Sequence, residues 1–244
     1  GRSDMILPTI SRDVLREALL DAAAVLMPVD CAGCGAPDRG LCSECRAALG
    51  ASVETRALGH GLPVTSALRY AGDVGDVVLA LKRDGRIGVA RALGPALGAA
   101  VEAALDAAGV PEHRIRIVPV PPTRRAYRRR GFDPVRLLLA RAGVPAWRVF
   151  APAASHRTQK LLGASDRARN LRGAFRVQRD AAGARILLID DVVTTGATLR
   201  EAASALREAG AEVVGAAVLA STPLRSGFTA HPQLPNRDIR RGAD

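Results

Sequence analysis

Asp190 and Asp191 end an apolar run, Ile186 to Ile189, and are followed after two valines by Thr194, Thr195, Gly196, Ala197 and Thr198. Carboxylates accept hydrogen bonds only when ionised, so an adjacent pair suits two neighbouring hydroxyls, held directly or through a divalent cation. The threonines add hydroxyl donors, and the glycine permits close approach of backbone amides to an anion. Where such a loop passes from the carboxyl end of a strand into a helix, its amides and the positive end of the helix dipole face the same point. A phosphate on one side and a diol on the other describe a ribose 5-phosphate. The competing reading is that the acids finish a strand and one threonine caps a helix. That accounts for one acid and one threonine, but not for five polar residues in the nine from Asp190 to Thr198.

A second constellation is cysteine-based. All four cysteines fall in one pattern, Cys31-x2-Cys34 and Cys42-x2-Cys45, with seven residues between the pairs. Thiolates at this spacing can share one tetrahedral Zn2+, and four of them leave no open coordination position, so the expected role is structural rather than catalytic. Two disulfides are the alternative, weakened by the lack of a secretory signal pattern at the start of the sequence.

The elements that must carry these groups follow from periodicity. Ser11 to Met27 has helical spacing and ends at Pro28. Residues 29–50 hold the cysteine knuckle. A short strand is expected around Ala67 to Tyr70, a helix from Val74 to Lys82 and an alanine-rich helix from Ile87 to Ala108. Ile115 to Val120 reads as a strand ending in prolines, Pro134 to Ala142 as a helix, and Arg185 to Ile189 as a strand covered on both faces. Ala197 to Ala209 is an amphipathic helix, with Leu199, Ala202, Ala203, Leu206 and Ala209 inward, and Val213 to Leu219 is the next strand. Strands alternating with helices imply an α/β fold, a doubly wound and mostly parallel sheet over residues 60–222, beside the small knuckle module. An N-terminal helix over 5–28 and a disordered tail over 226–244 complete the expected division.

The 244 residues are 48% hydrophobic but only 3% aromatic, which favours an aliphatic core and disfavours a surface that stacks bases on aromatic rings. No run of eighteen or more uncharged apolar residues is present, so membrane insertion is not expected and the cytoplasm is the expected compartment. Of the net charge of +11, the segment from Arg124 to Arg179 carries more than all: fifteen Lys and Arg against Asp133 and Asp166. A charge run is often only a solvated face, but one this local points to an anionic partner, a polyphosphate or a nucleic-acid backbone.

The run of apolar strand, two acids, two residues and TTGxT resembles the PRPP-binding signature of type I phosphoribosyltransferases. The resemblance implies that Asp190 and Asp191 hold the ribose hydroxyls and that Thr194, Thr195, Gly196, Ala197 and Thr198 wrap the 5-phosphate. Purine-salvage members have an aspartate at the place of Thr194, which points this chain away from 6-oxopurines. "VPVPPTRRAYRRRGF", "RTQKLLGASDRARNLRGAF", "LKRDG" and the four-cysteine knuckle together resemble the ComF competence-type family over about Val25 to Ala220. That family joins a zinc finger to a phosphoribosyltransferase domain. The resemblance implies Zn2+ in the knuckle and Mg2+ with PRPP. It puts Arg124, Arg125, Arg128, Arg129 and Arg130, with Gly131 and Phe132, beside the nucleotide site, where with Lys160 they would meet pyrophosphate or nucleic-acid phosphate. At Asp133-Pro134 the chain departs from the family, which tends to have an amide and a small residue there.

Three functions are compatible with these residues. One is a Mg2+-dependent transferase in which pyrophosphate leaves ribose through an oxocarbenium-like state. Another is a PRPP sensor without turnover, and the third is a DNA-uptake factor with single-stranded DNA and a competence helicase as partners. His156, Arg157, Thr158, Gln159 and Lys160 either close over the site or form a solvated hinge. Asp166, Arg167 and Asn170 read equally as a helix start or a phosphate-side loop.

Overall fold

The structure, a computed structural model, describes residues 29–37, 39–151 and 175–222. The expected helix over 5–28, the tail from 226 and the segment with His156 to Lys160, Asp166, Arg167 and Asn170 lie outside the described residues.

One five-stranded sheet organises the described chain. Its strands are β1 (Glu54–Leu58), β2 (Leu62–Arg69), β3 (Ile115–Pro119), β4 (Arg185–Val193) and β5 (Glu212–Ser221), in the order β1-β2-β5-β4-β3. All neighbours are parallel except β1, which pairs antiparallel with β2. The mostly parallel α/β fold expected from the alternation of elements is therefore present, with an antiparallel edge.

Parallel strands need crossovers, and the helices supply them. Between β2 and β3 the chain forms α2 (Gly72–Arg83) and α3 (Ala90–Ala107); α1 (Ser43–Ala47) precedes them in the knuckle. Between β3 and β4 come α4 (Arg124–Arg130) and α5 (Pro134–Arg141), and α6 (Ala197–Glu208) joins β4 to β5. The side chains of β4 show why the sheet needs cover on both faces. Leu187 and Ile189 enter the core that includes Leu97 and Leu138, whereas Ile186 and Leu188 enter the one that includes Leu199, Ala202, Ala203 and Leu206. Period-two alternation with both faces apolar yields an uninterrupted hydrophobic run. Residues Ile87–Ala107 are long and apolar enough to cross a membrane by length and composition alone. More than half of that stretch is buried, and α3 packs against β2, β5 and α5, which accounts for its composition.

Several boundaries differ from the sequence-based expectation. β4 does not stop at Ile189: it continues through Asp190 and Asp191 to Val193, because β5 pairs with it as far as Val193–Ser221. The strand expected at Ala67 begins at Leu62, and its antiparallel partner β1 was not expected, since polar Glu54, Thr55 and Arg56 hide the pattern of an edge strand. The sheet therefore begins at Glu54, before the boundary expected at residue 60. Ile87 to Val89 form a 3-10 turn ahead of α3 rather than its first turn. The arginine-rich segment, to which no element was assigned from sequence, is a helix opened by Thr123, whose hydroxyl accepts from the Ala126 amide at 3.2 Å.

Candidate functional site

The ladder between β3 and β4 ends at Pro119–Ile189, with one more bond from the Val120 amide to the Ile189 carbonyl at 2.8 Å. β4 runs on, and among the described residues no strand pairs with its β3-side edge at Asp190 to Val193. The amides exposed there are served by the acids themselves: Asp191 N–H donates to Asp190 Oδ1 at 2.8 Å, and Val192 N–H donates to Asp191 Oδ1 at 2.7 Å. Both carboxylates are thereby held at the carboxyl end of a parallel strand, the edge at which open α/β sheets bind ligands.

The cation that meets them comes from α2. Lys82 Nζ lies 3.0 Å from Asp191 Oδ1, in a pair whose side chains are only 22% and 14% exposed. Asp190 is half-buried by surface, yet the protein packed around its carboxyl makes burial the main force on it. Burial, reinforced by the negative charge of Asp191, pushes it up to about 8, against the opposing amide of Asp191 and the charge of Lys82. Asp133 caps α5, accepting from the Arg136 amide at 3.3 Å, and is also raised, first by burial and further by Asp191. Asp133, Asp190 and Asp191 thus share one field with Lys82. Sequence reasoning assigned no role to Lys82, and it treated Asp133 only as a departure. The signals available for Lys82 were its place within LKRDG, quoted above for the family resemblance, and its position in the last turn of α2, next to buried Leu81.

Beyond Val193 the chain forms the threonine loop. Thr194 and Thr195 are exposed, and Gly196, left-handed at φ 71°, precedes α6 with no side-chain cap on the helix. Thr195 Oγ1 accepts from the Ala197 amide at 3.4 Å, and Arg200 Nη1 donates to the Thr195 carbonyl at 3.2 Å. The loop, Asp190 and Leu199 line one small, open hollow. First-turn amides without a side-chain cap, beside threonine hydroxyls, offer donors to an anion. Gly196 was expected to let a ligand approach the backbone; its left-handed φ itself favours glycine, and a Cβ there would also strike the end of the Leu58 side chain of β1. A second hollow is lined by Thr55, Pro63, Thr65 and small residues of α3 and β5, with no ionisable side chain among them.

Arg124, Arg125, Arg128 and Arg129 are exposed on α4, as is Tyr127 at 50%. Among the described residues none of the α4 arginines forms an ion pair, and the Nε of Arg130 is buried without a hydrogen-bond partner. Lys160 lies outside the described residues.

The four cysteines converge as their spacing implies. One ligand atom from each of Cys31, Cys34, Cys42 and Cys45 lies within 4.8 Å of the others, and all four thiols are free of disulfides. Cys31 and Cys45 are buried, and a Cβ on Gly33 would stand 2.6 Å from Cys45 Sγ, so the backbone closes tightly around the sulfurs. Burial pushes the Cys45 thiol up. At Cys31 desolvation is outweighed by hydrogen bonds, chiefly from the backbone of Cys42, Gly33 and Cys34, which draw it down to about 6. Four sulfurs in this cluster fit a tetrahedral thiolate site.

Residues 128–231 match the phosphoribosyl transferase domain family. The chain is similar to the DNA utilization protein YhgH of Escherichia coli (strain K12), 40% identical over 104 residues that cover 41% of this chain and 46% of that one. It is similar to Competence protein F of Haemophilus influenzae, 34% identical over 106 residues, 40% of this chain and 46% of that one. To Orotate phosphoribosyltransferase 2 of Mesorhizobium japonicum it is 45% identical over 65 residues, 26% of this chain and 32% of that one. The matches span about half the length of the first two relatives or less.

Proposed function

We propose that this chain, a ComF-type protein in which a phosphoribosyltransferase domain accompanies a four-cysteine cluster, binds PRPP with Mg2+ and transfers its phosphoribosyl group to an unidentified acceptor with release of pyrophosphate. The observation that carries this reading is the hollow in which Asp190 meets the threonine loop and the uncapped start of α6. In it the amides and hydroxyls of Thr194 to Thr198 hold the 5-phosphate, and Asp190, which lines it, together with the adjacent Asp191 holds the ribose hydroxyls. Mg2+ supplies positive charge to the pyrophosphate when bound. Lys82 orients Asp191, and fixing both ends of the sugar supplies the orientation that lowers the barrier to losing pyrophosphate. The knuckle over 29–50 takes one structural Zn2+, the transferase unit reaches to residue 222, and the protein works in the cytoplasm.

The test is a calorimetric titration of PRPP with Mg2+ into the zinc-loaded protein, beside an Asp190→Asn, Asp191→Asn variant. A loss of more than about 1.5 kcal/mol of binding in the variant, the scale of hydrogen bonds to charged groups, is expected. Absence of binding by the folded parent overturns the reading. Pyrophosphate release on adding an acceptor separates a transferase from a sensor.

A second reading is favoured by α4, whose exposed arginines flank the exposed ring of Tyr127. Cations beside an aromatic face suit single-stranded nucleic acid, and relatives carry the names DNA utilization protein and Competence protein F. Single-strand affinity should then fall steeply with salt, and Arg128→Ser with Arg129→Ser should flatten that slope by about one to two phosphate contacts. No binding at low salt removes this function.

A further inference from the structure

The cysteine knuckle grips α2 at both ends. At its start, Asp73 Oδ2 lies 3.4 Å from Cys45 Sγ, and a Cβ on Gly33 would lie 3.3 Å from the Asp73 Cβ, so knuckle and helix meet without space for another side chain. Just past its end, Arg86 Nη2 donates to the carbonyls of Asp30 at 2.5 Å and Gly40 at 3.0 Å. Asp30 adjoins Cys31 and Gly40 stands two residues before Cys42, so Arg86 spans the two cysteine pairs. Its own amide bonds to the Ala80 carbonyl at 3.2 Å, tying it to the last turn of α2. That same turn carries Lys82, whose ammonium meets Asp191.

We propose that the knuckle is a positioning element for the diacid. Closed around its metal, it sets the spacing of the two carbonyls that hold Arg86, and thereby places Lys82 against Asp191, so that metal occupancy and ligand affinity are linked. The physical chain is short. A four-thiolate site without metal loses the bonds that join its two halves. The carbonyls of Asp30 and Gly40 are then free to separate, Arg86 keeps at most one of them, and the end of α2 gains freedom. A partly exposed ion pair contributes only when its geometry is held, because ordering a lysine side chain opposes its modest Coulomb energy. Linkage of this kind is reciprocal: what metal does to ligand affinity, ligand does to metal affinity. The identity of the ligand rests on the PRPP reading above, whereas the coupling between Arg86 and Asp191 does not.

The test uses the full chain, parent and Arg86→Leu, Lys82→Met and the double variant, each zinc-loaded, together with zinc-stripped parent. Two readouts are taken: the affinity for PRPP with Mg2+, and the 13C carboxyl resonances of Asp190 and Asp191 at fixed pH without ligand. The expected result is that Arg86→Leu and zinc removal each move the Asp191 resonance toward its position in Lys82→Met. Each should also weaken ligand binding by roughly fivefold or more, with the double variant no weaker than Lys82→Met alone. The proposal is overturned if Lys82→Met moves the Asp191 resonance while Arg86→Leu, with zinc retained, leaves it unchanged. It is equally overturned if the two substitutions weaken binding additively. Should the parent bind no PRPP, that reading falls, and the Asp191 resonance alone decides the coupling.

Discussion

Lys82 Nζ stands 3.0 Å from Asp191 Oδ1, joining the last turn of a helix to the end of a strand 109 residues away in the chain. The contact places one ammonium in the field that Asp133, Asp190 and Asp191 share. It also bears on how two adjacent acids can sit at the end of a buried strand: Lys82 meets the charge of Asp191, while burial keeps the proton on Asp190 up to about pH 8.

Removing that ammonium should be felt even without ligand. Lys82→Met is expected to lower stability to urea by about 1–2 kcal/mol, between the values for exposed and fully buried pairs. Millimolar Mg2+ should return part of the loss if the diacid accepts a divalent cation. A denaturation midpoint unchanged by the substitution would show that the pair contributes nothing.

The raised Asp190 gives stability a definite pH dependence. Its folded-state value of about 8 lies above the unfolded value near 4. Between those limits the folded chain holds a proton that the unfolded chain has released, so stability falls as pH rises from about 4 to 8 and levels off above. Asp133, raised in the same direction, adds to the slope. The melting temperature of the parent minus that of Asp190→Asn, measured across this window, should therefore decline with pH; a flat difference contradicts the assignment.

Gly196→Ala is expected to cost about 1–2 kcal/mol from the left-handed backbone alone, and its Cβ would also collide with Leu58. Leu58→Ala in the same chain relieves the collision but not the backbone strain. The double variant should then be less destabilised than the two single losses sum to, and strict additivity in chemical denaturation would deny the contact.

Metal content is countable. Elemental analysis should find about one zinc per chain, and Cys45→Ser, replacing a buried sulfur, should release it to a chelator faster than Arg86→Leu does. A folded preparation with no bound metal would refute the site.

Much of the fold was legible because its signals are local. The apolar run of Ile186 to Ile189 needs both faces covered whatever its neighbours are, and the inward spacing of Leu199, Ala202, Ala203 and Leu206 needs only a helix. β1 escaped notice because an edge strand is defined by its partner, and Arg56 opposite Val64 has no alternation to reveal it. The expected strand stopped at Ile189, just short of Asp190 and Asp191, for a related reason: what extends β4 through them is the continued pairing with β5, which no local pattern records.

The sequence by itself determined the pieces of chemistry: four sulfurs at ligand spacing, two acids before a threonine loop, and a cluster of arginines. Spacing along a chain fixes what a short segment can do, because backbone geometry over a few residues is stereotyped. Only the tertiary structure decided which pieces meet. It brought Lys82 rather than an α4 arginine to Asp191, set Leu58 against Gly196, and spanned the knuckle with Arg86. Those contacts depend on how strands distant in sequence pair and how helices pack across them, and that is decided by burial of the whole core, not by any one segment.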